Sequence, residues 1–280
     1  MGMVRGRVAG LYLYPFKSAA GLRVDTVRVG RAGLRGDREW MAVDARGQFV
    51  SLRTHPRMAL LRAHLCEQRL ELQAPDRMPL LLPRVPEDAG EDRPAAERSR
   101  GSYRIWSTER SGIDCGEEAA EWVSGFLGEP CRVMRAAAPA DRRPLDEDGR
   151  VRQGFADASP ALALSEASLA ALGDRIGAPV AMARFRPNIV IEGSAPFGED
   201  RWGRVRIGQV DARASGPCPR CAATLVDPDT GRKGVEPLRT LATFRRNERG
   251  EVDFGMNLQF EAPGVLRAGD LVVDALAADR

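Results

Sequence analysis

The chemistry this sequence can offer is concentrated in GPCPRCAATLVDPDTG, residues 216–231, where Cys218 and Cys221 precede a short apolar run and a tight turn. Three readings compete for such a CxxC pair. A structural zinc ion takes four ligands, commonly from two such pairs. Here there is one pair, and Cys66, Cys115, Cys131, His55 and His64 lie scattered at no matching spacing. A redox dithiol needs its first cysteine exposed at a helix N-terminus, where the dipole lowers the thiol pKa. The Ala-Ala-Thr-Leu-Val after Cys221 reads instead as a strand running into the turn Asp227-Pro228-Asp229-Thr230-Gly231. In the third reading one thiolate binds a soft transition metal and a cofactor completes the coordination.

That third reading calls for anion-binding side chains elsewhere, and three segments supply them. Lys17 and Ser18 follow the turn at Tyr14-Pro15, Arg38 lies in LRGDREW, and Arg186 and Asn188 lie in FRPN. Each sits at the edge of an apolar run, where a rigid strand can aim a side chain into a cleft. Lys17 and Lys233 are the only lysines among 42 basic residues. In a chain that otherwise uses arginine, a lysine in such a place stands out.

Composition removes several function classes. The net charge is +3, with 39 acidic residues interspersed among the basic ones; a nucleic-acid partner would call for a basic excess gathered in one stripe. No stretch approaches the roughly 20 apolar residues of a membrane helix, so no membrane partner is expected. The start, MGMVRGRVAGLYLYP, breaks into Gly and Pro before a secretory apolar core forms. Five cysteines is an odd number, which argues against a disulfide framework. These features together give a cytoplasmic expectation. Two histidines, both in the first quarter, leave little from which to build a histidine metal site or a Ser-His-Asp triad.

The elements that must position these residues are mostly strands. From Val4 to Thr108 short runs rich in Val, Leu, Tyr and Trp alternate with Gly, Asp and Pro turns, the pattern of a small sandwich or barrel. Asp44-Ala45-Arg46-Gly47 reads as a hairpin loop. Pro75–Arg100 and Ala136–Gly154, rich in Arg, Asp, Glu and Pro, read as long polar loops. A helix is predicted over Gly116–Leu127, closed by Gly128, and a second behind the N-cap Ser165, with Leu169, Leu172 and Ile176 on one face and a stop at Gly177. FRPNIVIEG, WGRVRIGQVDARAS, CAATLVDP and two short strands in NLQFEAPGVLRAGDLVVD return to β. The fold class is α/β, β-rich and of α+β type: an N-terminal β-barrel lobe over residues 1–128 and a second barrel lobe over 129–280.

Taken together, YPFKS (14–18), GLRGDREW (33–40), DCGEEAAEW (114–122), LSEASLAAL (164–172), RFRPNIVI (184–191), CPRCAATLVDPDTG (218–231) and GVLRAGD (264–270) resemble the MOSC family of molybdenum-cofactor proteins. Within it they resemble the two-part members with an N-terminal β-barrel, the branch of the amidoxime reducing components. The resemblance runs in family order over nearly the full length. It implies a molybdenum cofactor, Mo-molybdopterin, with Cys221 as the protein ligand to the metal. Lys17, Ser18, Arg38, Arg186 and Asn188 carry over as contacts to the pterin and its phosphate, a role suited to charge-assisted, bidentate donors. Asp157, carried over as a catalytic residue, and Ser159, as a cofactor contact, match positions lining the same site. Two positions depart from the family pattern: Pro219 where Ser is frequent, and Ala158 where Thr is frequent.

The activity this implies is two-electron reduction of a small N-hydroxylated substrate, an amidoxime or hydroxylamine, with loss of oxygen as water. Some relatives end in a plant-type ferredoxin domain, whereas this sequence stops at Arg280. The expectation is a separate electron-transfer protein: a ferredoxin, a flavoprotein or a cytochrome b5-like carrier. The competing expectation is a sulfur or cofactor carrier using Cys221 as a persulfide or thiolate. A third is a structural β-protein in which Cys218 and Cys221 are merely buried.

Overall fold

Val4–Leu13, the first strand, alternates buried and outward side chains. Its inward residues Val8 and Leu11 pack with Ile189, Leu258 and Val272, which lie more than 170 positions further along the chain. The structure, a computed structural model, describes residues 3–84, 100–105, 108–136, 155 and 159–275.

The strands in chain order are β1 Val4–Leu13, β2 Leu22–Val24, β3 Thr26–Gly30, β4 Gly33–Leu34, β5 Trp40–Asp44, β6 Arg62–Leu65, β7 Arg69–Gln73, β8 Leu80–Pro83 and β9 Arg100–Ile105. They continue with β10 Thr108–Asp114, β11 Cys131–Arg135, β12 Ala161–Ser165, β13 Ile189–Glu192, β14 Arg204–Ile207, β15 Val210–Pro219, β16 Asp253–Phe260, β17 Gly264–Arg267 and β18 Leu271–Asp274. The helices are α1 Glu117–Leu127, α2 Glu166–Ile176 and the single turn α3 Leu238–Leu241.

Seven strands close a barrel in the order β13-β12-β16-β15-β14-β18-β1, completed by pairing of β1 with β13. Every pair in it is antiparallel except β12 with β13, whose parallel register is bridged by α2. β2 extends the sheet beside β1. The barrel therefore draws strands from both sides of residue 128. The other lobe, built almost wholly from residues before 136, holds the sheet β5-β11-β10-β9 and the sheet β6-β7-β8. Between them and α1 lies a separate core containing Trp40, Leu72, Val123 and Phe126. A small sheet, β17-β3-β4, takes strands from both ends of the chain.

The helix punctuation follows the sequence. α1 ends at Gly128 in the left-handed region, and α2 ends the same way at Gly177. Ser165 Oγ accepts the backbone N–H of Ser168 at 3.0 Å, a cap worth about 1 kcal/mol. The buried Glu199 carboxylate accepts from both serine hydroxyls behind it. Gly47 N–H donates to Asp44 O, closing the expected hairpin loop.

Three expectations need correction. β8 lies inside the stretch read as a polar loop, because Leu80 and Leu82 alternate inward against β7. The C-terminal segment holds three strands, and no two of the three pair with each other: β16 joins β12 and β15, β17 joins β3, and β18 joins β14 and β1. The residues after Cys221 form a 3-10 turn, Ala222–Leu225, with Cys221 as its N-cap; the strand comes before the cysteine, as β15.

Candidate functional site

A cleft of about 300 Å³ opens between the two lobes. One wall is the chain after β1 and β5, the second is the segment between α2 and β13, and the third is the end of β15 with its 3-10 turn. Lys17, Ser18, Arg38, Ser159, Arg186, Asn188 and Cys221, separated by up to 204 positions in sequence, all line it. Asp157 and Ala158 lie outside the described residues.

Each position has a local cause. Lys17 N–H donates to Trp40 O, and its buried Nζ donates to Phe155 O at 2.7 Å while standing 5.1 Å from the centre of the Phe49 ring. Ser18 Oγ accepts the Leu52 N–H at 3.3 Å and so ties this wall to the loop after β5. Arg38 pairs with the buried carboxylate of Asp37, whose other oxygen accepts the Tyr14 N–H at 2.7 Å. Arg186 donates to Ala19 O. Ser159 Oγ donates to Leu258 O.

Asn188 differs from the others. It is fully buried; its Nδ2 donates to Tyr12 O, and its Oδ1 accepts from Leu162 N–H at 3.2 Å and from Arg38 at 3.4 Å. Its amide therefore joins β1, β12 and β13 and reaches the cleft chiefly by steadying Arg38.

The backbone adds a second signature. Five non-glycine residues among those described have positive φ, and three of them are Ser18 (71°), Arg38 (49°) and Arg186 (55°). Such conformations cost roughly 1–3 kcal/mol each and cluster where a site is built. Tyr14 lies beneath two of them: fully buried, it donates its hydroxyl to Pro187 O at 3.1 Å. Burial pushes the Tyr14 hydroxyl above its usual range, against the downward pull of Arg186 and Arg38.

Several lining residues are not singled out by the sequence. Arg53, Arg184 and Arg220 join Lys17, Arg38 and Arg186, so six cationic side chains face the cleft and, among the described residues, no Asp or Glu lines it. Arg184 and Arg220 fall inside the quoted motifs, two positions before Arg186 and one before Cys221. In a chain this rich in arginine, residue type alone gave no contrast. Lys233 donates to Arg53 O; both lysines of the chain thus bond backbone carbonyls at this site.

At the third wall the two cysteines part. Cys221 is exposed, and its carbonyl accepts from Thr224 N–H and Oγ1. Cys218, half-buried at the end of β15, has its sulfur 3.0 Å from an Arg220 guanidinium nitrogen. Arg220 also donates to Phe185 O, while its buried Nε has no partner among the described residues. Among the described residues no cluster of three His, Cys, Asp or Glu side chains could hold a metal. Beside Cys221, the described residues offer a metal here no further donor cluster. An exposed thiol, a cationic wall and an orphaned donor fit an anionic, metal-carrying organic group.

A closed barrel that borrows its first strand from the far end of the chain, and meets a second β-lobe across a cationic cleft, defines a two-part β architecture. Residues 5–130 match the MOSC N-terminal beta barrel domain and residues 150–273 the MOSC domain, so the chain belongs to the MOSC family. It is similar to mitochondrial amidoxime-reducing component 1 of Mus musculus, 38% identical over 287 residues, covering 95% of this chain and 82% of that protein. The protein of the same name from Homo sapiens is 36% identical over 291 residues, with 95% and 82% covered. Mitochondrial amidoxime reducing component 2 of Bos taurus is 35% identical over 289 residues, again with 95% and 82% covered. Among the described residues no helix is long and apolar enough to cross a membrane.

Proposed function

We propose that this chain is a molybdenum-cofactor-dependent oxidoreductase that reduces N-hydroxylated compounds, amidoximes and hydroxylamines, with electrons from a separate donor protein. The observation that carries this reading is the pairing of an exposed Cys221 thiol with six cationic side chains in one cleft lined by no described acidic residue. The names of relatives up to 38% identical supply the reaction class.

In this reading Cys221 offers the soft thiolate donor to molybdenum. Lys17, Arg38 and Arg186 neutralise the cofactor phosphate, with Ser18 and Ser159 as neutral donors and Asn188 as the buried brace of Arg38. Asp157 is assigned to proton handling at the substrate. When bound, such a cofactor would supply the two electrons that, with two protons, reduce an N–O bond and release its oxygen as water. The chain's own residues hold the anion, fix the thiol and keep the mouth of the cleft open to a small substrate and to a ferredoxin, flavoprotein or cytochrome b5-like donor.

A carrier reading, with sulfur passed through Cys221, draws on the exposure of that thiol. Metal analysis after cofactor-sufficient expression separates the two. Stoichiometric molybdenum, with reduction of a panel of N-hydroxylated compounds by an artificial donor, is the expected result. Absence of molybdenum together with a labile sulfur on Cys221 would establish the carrier.

A further inference from the structure

Cys221 is exposed, so its aim into the cleft is set by the backbone that carries it. That backbone is the N-cap of a single 3-10 turn, Ala222–Leu225. One such turn has little intrinsic stability, and its last carbonyls need partners from elsewhere.

Arg184 supplies both, sharing Leu225 O with the Gly234 N–H. One of its guanidinium nitrogens, Nη1, donates to Thr224 O at 3.4 Å and to Leu225 O at 3.2 Å; the other, Nη2, donates to Asp227 Oδ2 at 2.8 Å. Arg184 ends the 3-10 turn Met182–Arg184, just ahead of Arg186 and Asn188 on the facing wall. A planar guanidinium carries its donors on separate nitrogens in a fixed fork, so it can bridge the turn carbonyls and a carboxylate in one rigid arrangement, whereas an ammonium has its three donors on a single rotating nitrogen.

Asp227 is itself held from several sides. Its Oδ1 accepts the N–H groups of Asp229 and Thr230 and the Thr230 hydroxyl, while its backbone bonds Arg232 and Gly231. The turn it organises rests on the other lobe: a Cβ at Gly231, whose φ is 66°, would stand 3.3 Å from Pro56 O and 3.4 Å from Arg57 Cα. From the same turn Lys233 donates to Arg53 O, and Arg53 lines the cleft. The Arg184–Asp227 pair thus joins the second and third walls, and the segment after Asp227 carries the connection on to the first.

We propose that Arg184 and Asp227 are a positioning pair that fixes the Cys221 thiol relative to Arg186, and thereby sets how tightly the metal-bearing cofactor is retained. The proposal rests on the reading of Cys221 as metal ligand and Arg186 as anion contact. Its rival is that the pair merely adds stability. Arg245 and Asp200 provide the control: the same barrel, two hydrogen bonds at 2.6 and 3.0 Å, a further donation from Arg245 to Asp253 O, and comparable exposure, with neither residue lining the cleft.

The test uses full-length protein carrying Arg184→Gln, Asp227→Asn, Arg184→Lys or the control Arg245→Gln. Amide hydrogen exchange is followed in cofactor-free protein, and molybdenum retained through gel filtration is measured in protein expressed with cofactor. Arg184→Gln and Asp227→Asn are expected to speed exchange across residues 221–231 by about tenfold or more while the control leaves that segment unchanged. Both should lose molybdenum several-fold faster than the control, with partial recovery in Arg184→Lys. Equal exchange in Arg184→Gln and the control, or faster local exchange with unaltered retention, overturns the proposal. Should Arg184→Gln fail to fold, Asp227→Asn decides the matter by the same two readouts. Wild-type protein devoid of molybdenum would instead sink the cofactor reading, an outcome visible before any variant is compared.

Discussion

Arg186 stands over Tyr14, its guanidinium carbon 4.2 Å from the ring centre, and Arg38 shares the same ring at 5.4 Å. Two like charges are thereby held side by side by one buried aromatic ring whose edge fills the space that a Cβ on Gly21 would enter, 2.8 Å away. The ring quadrupole offsets part of the repulsion between the arginines before any anion arrives.

Removing the ring should therefore cost anion affinity beyond its cost in packing. Cation–π contacts of this kind contribute about 0.5–2 kcal/mol, so Tyr14→Leu is expected to lower cofactor retention roughly two- to thirtyfold. Tyr14→Phe keeps the ring and loses only the bond to Pro187 O, about 1 kcal/mol of stability. Molybdenum content and urea unfolding of both variants check this; equal retention in the two would refute the role of the ring.

The CxxC pair should behave asymmetrically. Cys221→Ser is expected to abolish N-reduction and to release molybdenum. Cys218→Ser removes only a sulfur held by Arg220 and should keep much of both. Equal loss would restore the dithiol.

A half-buried and a buried thiol make stability depend on alkaline pH. Burial pushes Cys115 up to about 12, with Arg135 pulling it down and Asp114 adding to the rise; Cys131 is pushed up to about 11 by burial, Glu129 and Asp44. In the unfolded chain each thiol ionises near 9.0. From there upward the unfolded state sheds protons that the folded state keeps, so this stability is complete below pH 9 and is lost as pH rises through the folded values. Urea midpoints should fall between about pH 8 and about pH 10.5, and less steeply in Cys115→Ala, by up to about 1.4 kcal/mol per pH unit.

Closure of the barrel should be sensitive to Gly6. Its φ is 147°, and a Cβ there would lie 2.6 Å from Glu192 O and 2.7 Å from Ile191 Cγ2 across the β1–β13 seam. Gly6→Ala is expected to cost about 2 kcal/mol or more in urea unfolding. Gly203, with nothing within 4 Å of its added Cβ, should tolerate alanine to within about 0.5 kcal/mol.

The sequence displayed what local chemistry controls. Ser165, Gly128 and Gly177 announce the helix ends because caps are written in one or two residues. Lys17, Ser18, Arg38, Arg186 and Asn188 were visible because each stands beside an apolar run that became a strand. The turn after Cys221 was not visible: Thr224 and Val226 favour a strand, and what prevails is the Thr224 side chain on the Cys221 carbonyl together with Arg184 reaching in from forty positions away. Arg184, Arg220 and Arg53 were hidden by the abundance of their own type. Tyr14 was quoted within its motif, yet nothing local shows that two arginines from distant segments will lie on its ring.

The pairing of β1 with β13 and β18 also governs timing. Apart from the short β2 beside its C-terminal end, the first strand synthesised finds its partners only when residues 189–192 and 271–274 have been made, whereas the described strands of the other lobe are complete by Arg135. Throughout translation Val8, Leu11 and Leu13, buried in the finished barrel, wait with an apolar face and open backbone edges. Such delayed, long-range closure is slow and exposes the nascent chain to misassociation. The strand that seals the finished protein is the one a growing chain must shield longest.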